Sequence, residues 1–286
     1  MTKVTDPTSR AVTLVYDSSG HLTGITDADG AQSTYTYDGN HMLKGITDPY
    51  GYHLYVNWVR PEAYGAWRVS AVLEKAGGEE GMRLRLDYGY NRTKGSLLAK
   101  VTGDGLEAAY TYDASGIRTS KTVNGVKTEY LTAGSSVLSE KKNGKWQHYL
   151  YDGSGQLMAI RYKGADYYYI RDGLMCIIGL VDANGGAVVN YKYDSWGKLI
   201  SITGSMAETL GKDNPYRFKG YYYDDETGMY YISVRYYNPE IARFINTDTE
   251  DILDISSHLY DKNLYAYCDN NPIMRKDTGG EFWTIA

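Results

Sequence analysis

Residues 16–30 read YDSSGHLTGITDADG and residues 37–51 read YDGNHMLKGITDPYG, two passes of one unit that begin 21 positions apart. The pattern spreads outward from this pair. Y-x-Y-D stands at Tyr35/Tyr37/Asp38, Tyr110/Tyr112/Asp113, Tyr149/Tyr151/Asp152, Tyr191/Tyr193/Asp194 and Tyr221/Tyr223/Asp224, with Leu14 in the first place of the copy at Tyr16/Asp17. Gly20, Gly116, Gly155 and Gly197 each follow their Asp by three. Tyrosines two apart share one face of a strand. The Asp carboxylate can fold onto backbone N–H groups two residues on, and the glycine supplies a positive φ at no steric cost. Leu22 with Ile25, Leu157 with Ile160, and Leu199 with Ile202 then begin the returning strand. The unit is a hairpin, and because one hairpin is marginal alone, neighbours must stack.

Composition agrees with strands and tight turns. The 286 residues hold 31 Tyr and 32 Gly against 3 Phe and 6 Pro. Tyrosine favours strands and glycine punctuates turns. A net charge of -5 argues against a nucleic-acid partner, whose phosphates recruit basic faces. Cys176 and Cys268 match no redox or zinc spacing and read as buried thiols. The five histidines have no metal-ligand spacing, so no metal or other cofactor is expected. No stretch reaches the roughly 20 apolar residues of a membrane helix, and MTKVTDPTSR has no signal-peptide core. The repeat starts almost at once, as expected of a segment from a longer chain.

Between residues 53 and 109 the Y-D turn disappears, and strands joined by longer loops are expected there. Short helices are predicted at 205–210, where SMAETL precedes Gly211, and at 250–262, where Ile252, Ile255 and Leu259 share a side. Residues 221–244, YYYDDETGMYYISVRYYNPEIARF, place seven tyrosines in 24 positions. Either the rings line a wet concave face, their hydroxyls solvated, or they fill a narrow core. Asp224, Asp225 and Glu226 read as a solvated hairpin loop.

These motifs resemble a known family. The Y-D-x-x-G units are similar to the YD repeats of Rhs proteins and of teneurin and toxin-complex shells. The run NPYRFKGYYYDDETGMYYISVRYYNPEIARFINTD with NLYAYCDNNP resembles the Rhs repeat-associated core domain. The resemblance implies an all-β chain: antiparallel hairpins of a spiralling shell over 1–212, and a plug-like core domain over 213–286. It also implies the function, enclosing a C-terminal polymorphic toxin of a secreted or surface-borne bacterial effector. The partners would be that toxin cargo and upstream shell repeats. Tyr-rich hairpins such as 144–173 leave an alternative, a cell-surface carbohydrate-binding module.

The resemblance further implies one site. In many Rhs shells, paired aspartates cut the chain once; two carboxylates sharing a proton can activate a water. Asp248 in NTDTE and Asp277 in KDTGG match, with Gly280 and Glu281 at the cleavage point. Thr249 and Thr278 stand where that family carries proline. Such an enzyme would turn over once. Structural roles are assigned to Tyr37, Asp38, Tyr112, Asp113, Gly116, Tyr151, Asp152, Gly155, Tyr193, Asp194 and Gly197 in the turns. Arg217, Arg235 and Arg243, set among aromatic residues, are expected to stack on tyrosine or pair with carboxylates.

Overall fold

A computed structural model describes residues 2–5, 11–60, 68–76, 82–91, 95–103, 105–246, 267–268, 271–277 and 283–285. The chain forms two compact units, Met1–Gly89 with Ala99–Glu107, and Tyr90–Leu98 with Ala108–Ala286. The first contains β1 (Lys3–Thr5), β2 (Ala11–Tyr16), β3 (Leu22–Thr26), β4 (Gln32–Tyr37), β5 (Leu43–Thr47), β6 (Tyr52–Val59) and β7 (Arg68–Ala76), and most of β8 (Met82–Asn91). Each pairs antiparallel with the next. The strands beyond Tyr52 lack the Y-D turn but keep the meander, as expected.

After β9 (Gly95–Gly103), the second unit continues with β10 (Leu106–Tyr112), β11 (Arg118–Val123), β12 (Val126–Ala133), β13 (Ser136–Lys142) and β14 (Lys145–Tyr151). It goes on through β15 (Leu157–Tyr162), β16 (Ala165–Arg171), β17 (Ile177–Val181), β18 (Ala187–Tyr193) and β19 (Leu199–Thr203). These too pair in order, all antiparallel. A π-helical turn at Ala207–Gly211 occupies the place predicted for the first helix, and a 3-10 turn follows at Phe218–Gly220. The helix predicted at 250–262 lies outside the described residues. A second sheet comprises β20 (Tyr222–Asp224), β21 (Met229–Ile232), β22 (Arg235–Asn238) and β23 (Arg243–Phe244). β24 (Arg275–Asp277) pairs with β25 (Trp283–Ile285).

The Y-D turn repeats with one geometry. Asp17, Asp38, Asp113, Asp152 and Asp194 each accept, through Oδ1, the N–H groups two and four residues on, at 2.8–3.0 Å. The glycine at the fourth turn position takes a positive φ: 79° at Gly116, 81° at Gly155 and 89° at Gly197. At the tyrosine before each Asp the register slips by one. Thr111 faces Ser120 while Tyr112 faces Arg118, so Thr119 is bulged out. The same slip occurs at Tyr16, Tyr37, Tyr151 and Tyr193.

That slip explains why the second ring is a phenol. Tyr37 Oη donates to the Leu22 carbonyl, Tyr112 to Leu98, Tyr151 to Val137 and Tyr193 to Ile177, at 2.6–2.9 Å. Leu22 opens β3 and Ile177 opens β17, and both precede the paired stretch of the following ladder. The hydroxyl satisfies a carbonyl that the bulged sheet leaves over, and phenylalanine cannot. Trp58 Nε1 does the same for Leu43 at 2.6 Å where the Y-D turn is missing.

Candidate functional site

In the second unit the Y-x-Y faces of the hairpins meet the aromatic residues of 216–237. Tyr110 lies 5.4 Å from the Tyr236 ring, and Tyr112 Oη is 3.0 Å from Tyr236 Oη. Tyr149 meets Tyr216 edge-on at 4.9 Å, and Tyr151 Oη is 3.3 Å from Tyr216 Oη. Each pair therefore shares a face. Tyr110, Tyr149 and Tyr191 are buried, as are Tyr230, Tyr231, Tyr236 and Tyr237. Of the two settings considered for the rings, a narrow core describes these better than a wet face.

One ionic cluster sits in this aromatic layer. Arg118, 2 % exposed, clasps Asp224, 0 % exposed, with both guanidinium ends: Nη1 donates to Oδ2, and Nη2 donates to Oδ1 at 3.0 Å. Lys121 Nζ donates to Asp224 Oδ1 and to Glu226 Oε2, both at 2.8 Å. The Arg118 backbone N–H donates to Tyr231 Oη at 2.9 Å. The guanidinium carbon stands 4.3 Å from the Tyr231 ring centre and 5.0 Å from those of Tyr130 and Tyr222. Tyr222 Oη donates to Glu140 Oε2 at 2.6 Å. This corrects the expectation for the YDDETG hairpin. The turn forms, with Thr227 and Gly228 N–H donating to the Asp224 carbonyl, but two of its three acids point into the core.

Burial raises the Asp224 carboxyl, yet Arg118 and Lys121 outweigh it and hold the group below its ordinary 3.8. Burial, aided by the Asp224 charge, pushes Glu226 above 4.5. Burial raises Glu140 as well, against the Tyr222 hydrogen bond. Asp224 is thus held ionised by both cations, whereas Glu226, which shares only Lys121, is left less acidic than an ordinary glutamate. An acid as fully committed as Asp224 is a clamp rather than a catalyst. No group of three or more His, Cys, Asp or Glu suited to a metal occurs among the described residues.

The sequence carried a signal for this clamp. Five residues after the Asp, the Y-D copies place Leu22, Leu43, Leu157 and Leu199; the copy at Asp113 places Arg118. A cation in a leucine position needs a buried counter-charge.

The three arginines singled out by sequence occupy different settings. Arg217 is 1 % exposed, lies 4.3 Å from the Tyr223 ring, and donates to the Lys212 and Asn214 carbonyls. Arg235 rests over Phe244 at 3.7 Å and donates to Asp277 Oδ2 at 3.1 Å. Arg243 is half-buried and donates to the Ala242 carbonyl. Asp277 is 3 % exposed; its backbone carbonyl accepts Tyr221 Oη at 2.7 Å. Asp248, Gly280 and Glu281 lie outside the described residues. Cys176 and Cys268 are buried together in the cluster of Phe218, Tyr221, Tyr230, Tyr237 and Tyr267, and burial pushes both thiols up to about 11.

Comparison with known proteins agrees with this architecture. The tRNA3(Ser)-specific nuclease WapA of Bacillus spizizenii is 38% identical over 183 residues, 62% of this chain and 8% of that protein. The double-stranded DNA deaminase toxin A of Burkholderia cenocepacia is 42% identical over 57 residues, 20% of this chain and 4% of that protein. The chain thus spans less than a tenth of the length of either relative. The TcdB2-TccC3-Cdc42 crystal structure superposes with a TM-score of 0.52 at 15% identity, covering 98% of this chain and 17% of that one. The teneurin YD-shell profile matches residues 1–273, and the chain belongs to the teneurin YD-shell family.

Proposed function

We propose that this chain is the C-terminal part of a shell that encloses a toxin in a secreted bacterial effector. Residues 1–212 would be wall and 213–286 the core domain that closes it. The observation that carries this reading is the Tyr-on-Tyr seam anchored by Arg118 and Asp224. It ties repeat strands to the segment 214–246 through buried groups, as a closed wall requires. Nuclease and deaminase-toxin relatives that are several times longer support a cargo beyond the shell. Carbohydrate binding would need exposed ring faces; Trp146 and Tyr168 keep theirs, but the Y-x-Y rings of β10, β14 and β18 pack on other aromatic rings. No helix among the described residues is long and apolar enough to cross a membrane.

Protease protection tests the shell. In the full-length gene product, polypeptide after residue 286 should resist proteinase K until denaturant opens the wall. Digestion at the native rate of an unfolded chain would overturn the reading.

Self-cleavage belongs to the same proposal. Asp277, facing Arg235, would be the ionised base that takes a proton from water, and Asp248 the acid that protonates the leaving amine. The bond beside Glu281 would break once. With a folded reporter fused after Ala286, release should stop in Asp248→Asn and in Asp277→Asn. Release that persists in both variants assigns the cut to another protease.

A further inference from the structure

A cavity of about 300 Å³ opens where the turns of β12–β13, β14–β15 and β16–β17 meet residues 216–233 and β24. Three cations line it: Arg171, Lys219 and Lys276. No carboxylate does so among the described residues; the other polar lining comes from Ser135, Ser136, Ser233, Gln156 and tyrosines. Lys219 is 1 % exposed and donates to the Pro272 and Arg275 carbonyls, which fixes the ammonium at the wall. Arg171 and Lys276 are half-buried. Among the described residues their charged ends meet ring faces, Tyr169 at 5.9 Å and Tyr221 at 6.0 Å, and form no ion pair. Asp152 and Asp172, the acids whose charge reaches Arg171 and Lys219, each spend Oδ1 on the N–H groups of their own turns.

Three convergent positive groups without a lining acid repel one another. Burial lowers Lys276 first, and the charges of Lys219 and Arg171 lower it further. Burial lowers Arg171 and Lys219 as well. The protein keeps this arrangement although a glutamate at any lining serine would relieve it, which is the pattern of a site completed by a ligand.

We infer that the Arg171–Lys219–Lys276 cavity binds a small multivalent oxyanion, phosphate or polycarboxylate in class. Arg171 would present its planar fork to two oxygens, and the two ammonium groups would act as point charges, with serine hydroxyls completing the shell. The inference rests on the cavity alone and stands or falls separately from the enclosure of a cargo.

The test is calorimetric titration of the whole 286-residue chain with inorganic phosphate and with citrate, against sodium chloride of equal ionic strength. Saturable one-to-one binding is expected with one or both anions, weakened about tenfold or more in Arg171→Gln and in Lys276→Met. Saturation by phosphate alone would mark a phosphate site, and saturation by citrate alone a carboxylate site. A second readout guards against misfolding. In chloride, without oxyanion, Lys276→Met should melt above the unsubstituted chain because it removes a repelled charge, and its melting point should no longer respond to phosphate. No saturable binding to either anion, or variants that bind as tightly as the original, would overturn the inference.

Discussion

The hairpin at Tyr35–Tyr37 and those at Tyr110–Tyr112, Tyr149–Tyr151 and Tyr191–Tyr193 obey the same local rules and end in different surroundings. All share the Asp turn, the one-residue bulge and the phenol-to-carbonyl bond. In the first unit the rings of Tyr35 and Tyr37 stay half-buried, and Tyr37 stacks on His21 at 4.6 Å. In the second, the first ring of each pair is buried, Tyr110 against Tyr236, Tyr149 against Tyr216, and Tyr191 beside Arg217 and Asn214. The lesson is that the repeat encodes a hairpin, not a core. Core formation is added by the C-terminal segment, at a few positions where a repeat departs from its siblings.

The sharpest way to break this comparison is at Arg118. Asp224→Ala leaves Arg118 and Lys121 buried without their shared partner. Removing one member of a buried pair costs about 3–5 kcal/mol, so the second unit should lose that much in urea unfolding. Arg118→Leu restores the leucine of the other copies. Combined with Asp224→Asn it should recover most of the loss, because the Arg118 and Asp224 charges are both gone and Lys121 keeps Glu226. A double variant no better than Asp224→Ala would show that the aromatic cage, rather than the ion pair, holds Arg118.

This contrast also marks how far the sequence was legible. Strands, turns and the shared face of each Y-x-Y pair follow from Tyr, Asp and Gly at fixed short spacings. The clamp joins residues 106 positions apart, Arg118 and Asp224. No local rule pairs them, and YDDETG looks like any polar hairpin loop. Only the replacement of leucine by Arg118 within the repeat betrayed it. The bulge was equally hidden, since it arises from the register between strands and not from either strand alone. The Asp277 carboxylate was singled out by resemblance, but its Arg235 partner was legible only as an arginine among aromatics.

Glycines at one turn position sharpen the comparison next. A Cβ at Gly155 would meet nothing within 4 Å, so Gly155→Ala should cost only the strain of φ 81°, about 1 kcal/mol. A Cβ at Gly197 would overlap the Phe218 ring as well. Gly197→Ala should therefore cost about 2–4 kcal/mol, strain plus displacement of a buried ring. Equal losses at the two sites in thermal unfolding would mean that the Phe218 side of the seam yields freely.

Acidity separates the clamp from the exposed turns. Asp224 is held below 3.8, so its contribution is complete above that value and fades as pH falls through the lower folded-state value. Glu140 and Glu226 are raised above 4.5, so folding favours their protonated forms; that contribution is full below 4.5 and fades as pH rises through the raised values. Among the described residues Glu226 Oε1 has no hydrogen-bond partner, which leaves room for the proton. Urea midpoints of the second unit should climb as pH drops from neutrality toward 4.5 and decline below 3.8. Glu226→Gln should flatten the climb, and an unchanged climb in that variant would move the effect to Glu140 or elsewhere.

The smallest effect tests the phenol itself. Tyr193→Phe and Tyr37→Phe each remove one hydroxyl and strand one carbonyl, that of Ile177 or of Leu22. A lost hydrogen bond of this kind costs about 0.5–1.5 kcal/mol, more where water cannot replace it. Tyr193 packs 6.0 Å from buried Phe218, whereas Tyr37 lies against the half-buried His21 ring. Tyr193→Phe should therefore fall at the upper end of that range and Tyr37→Phe at the lower, read as shifts in denaturation midpoint. Amide exchange gives a local check, since losing the hydroxyl should speed exchange in the ladders that flank the stranded carbonyl and leave distant hairpins unchanged. If neither substitution shifts the midpoint, the carbonyls are served by solvent. The preference for tyrosine over phenylalanine at the Y-D turn would then need a cause other than the bulge.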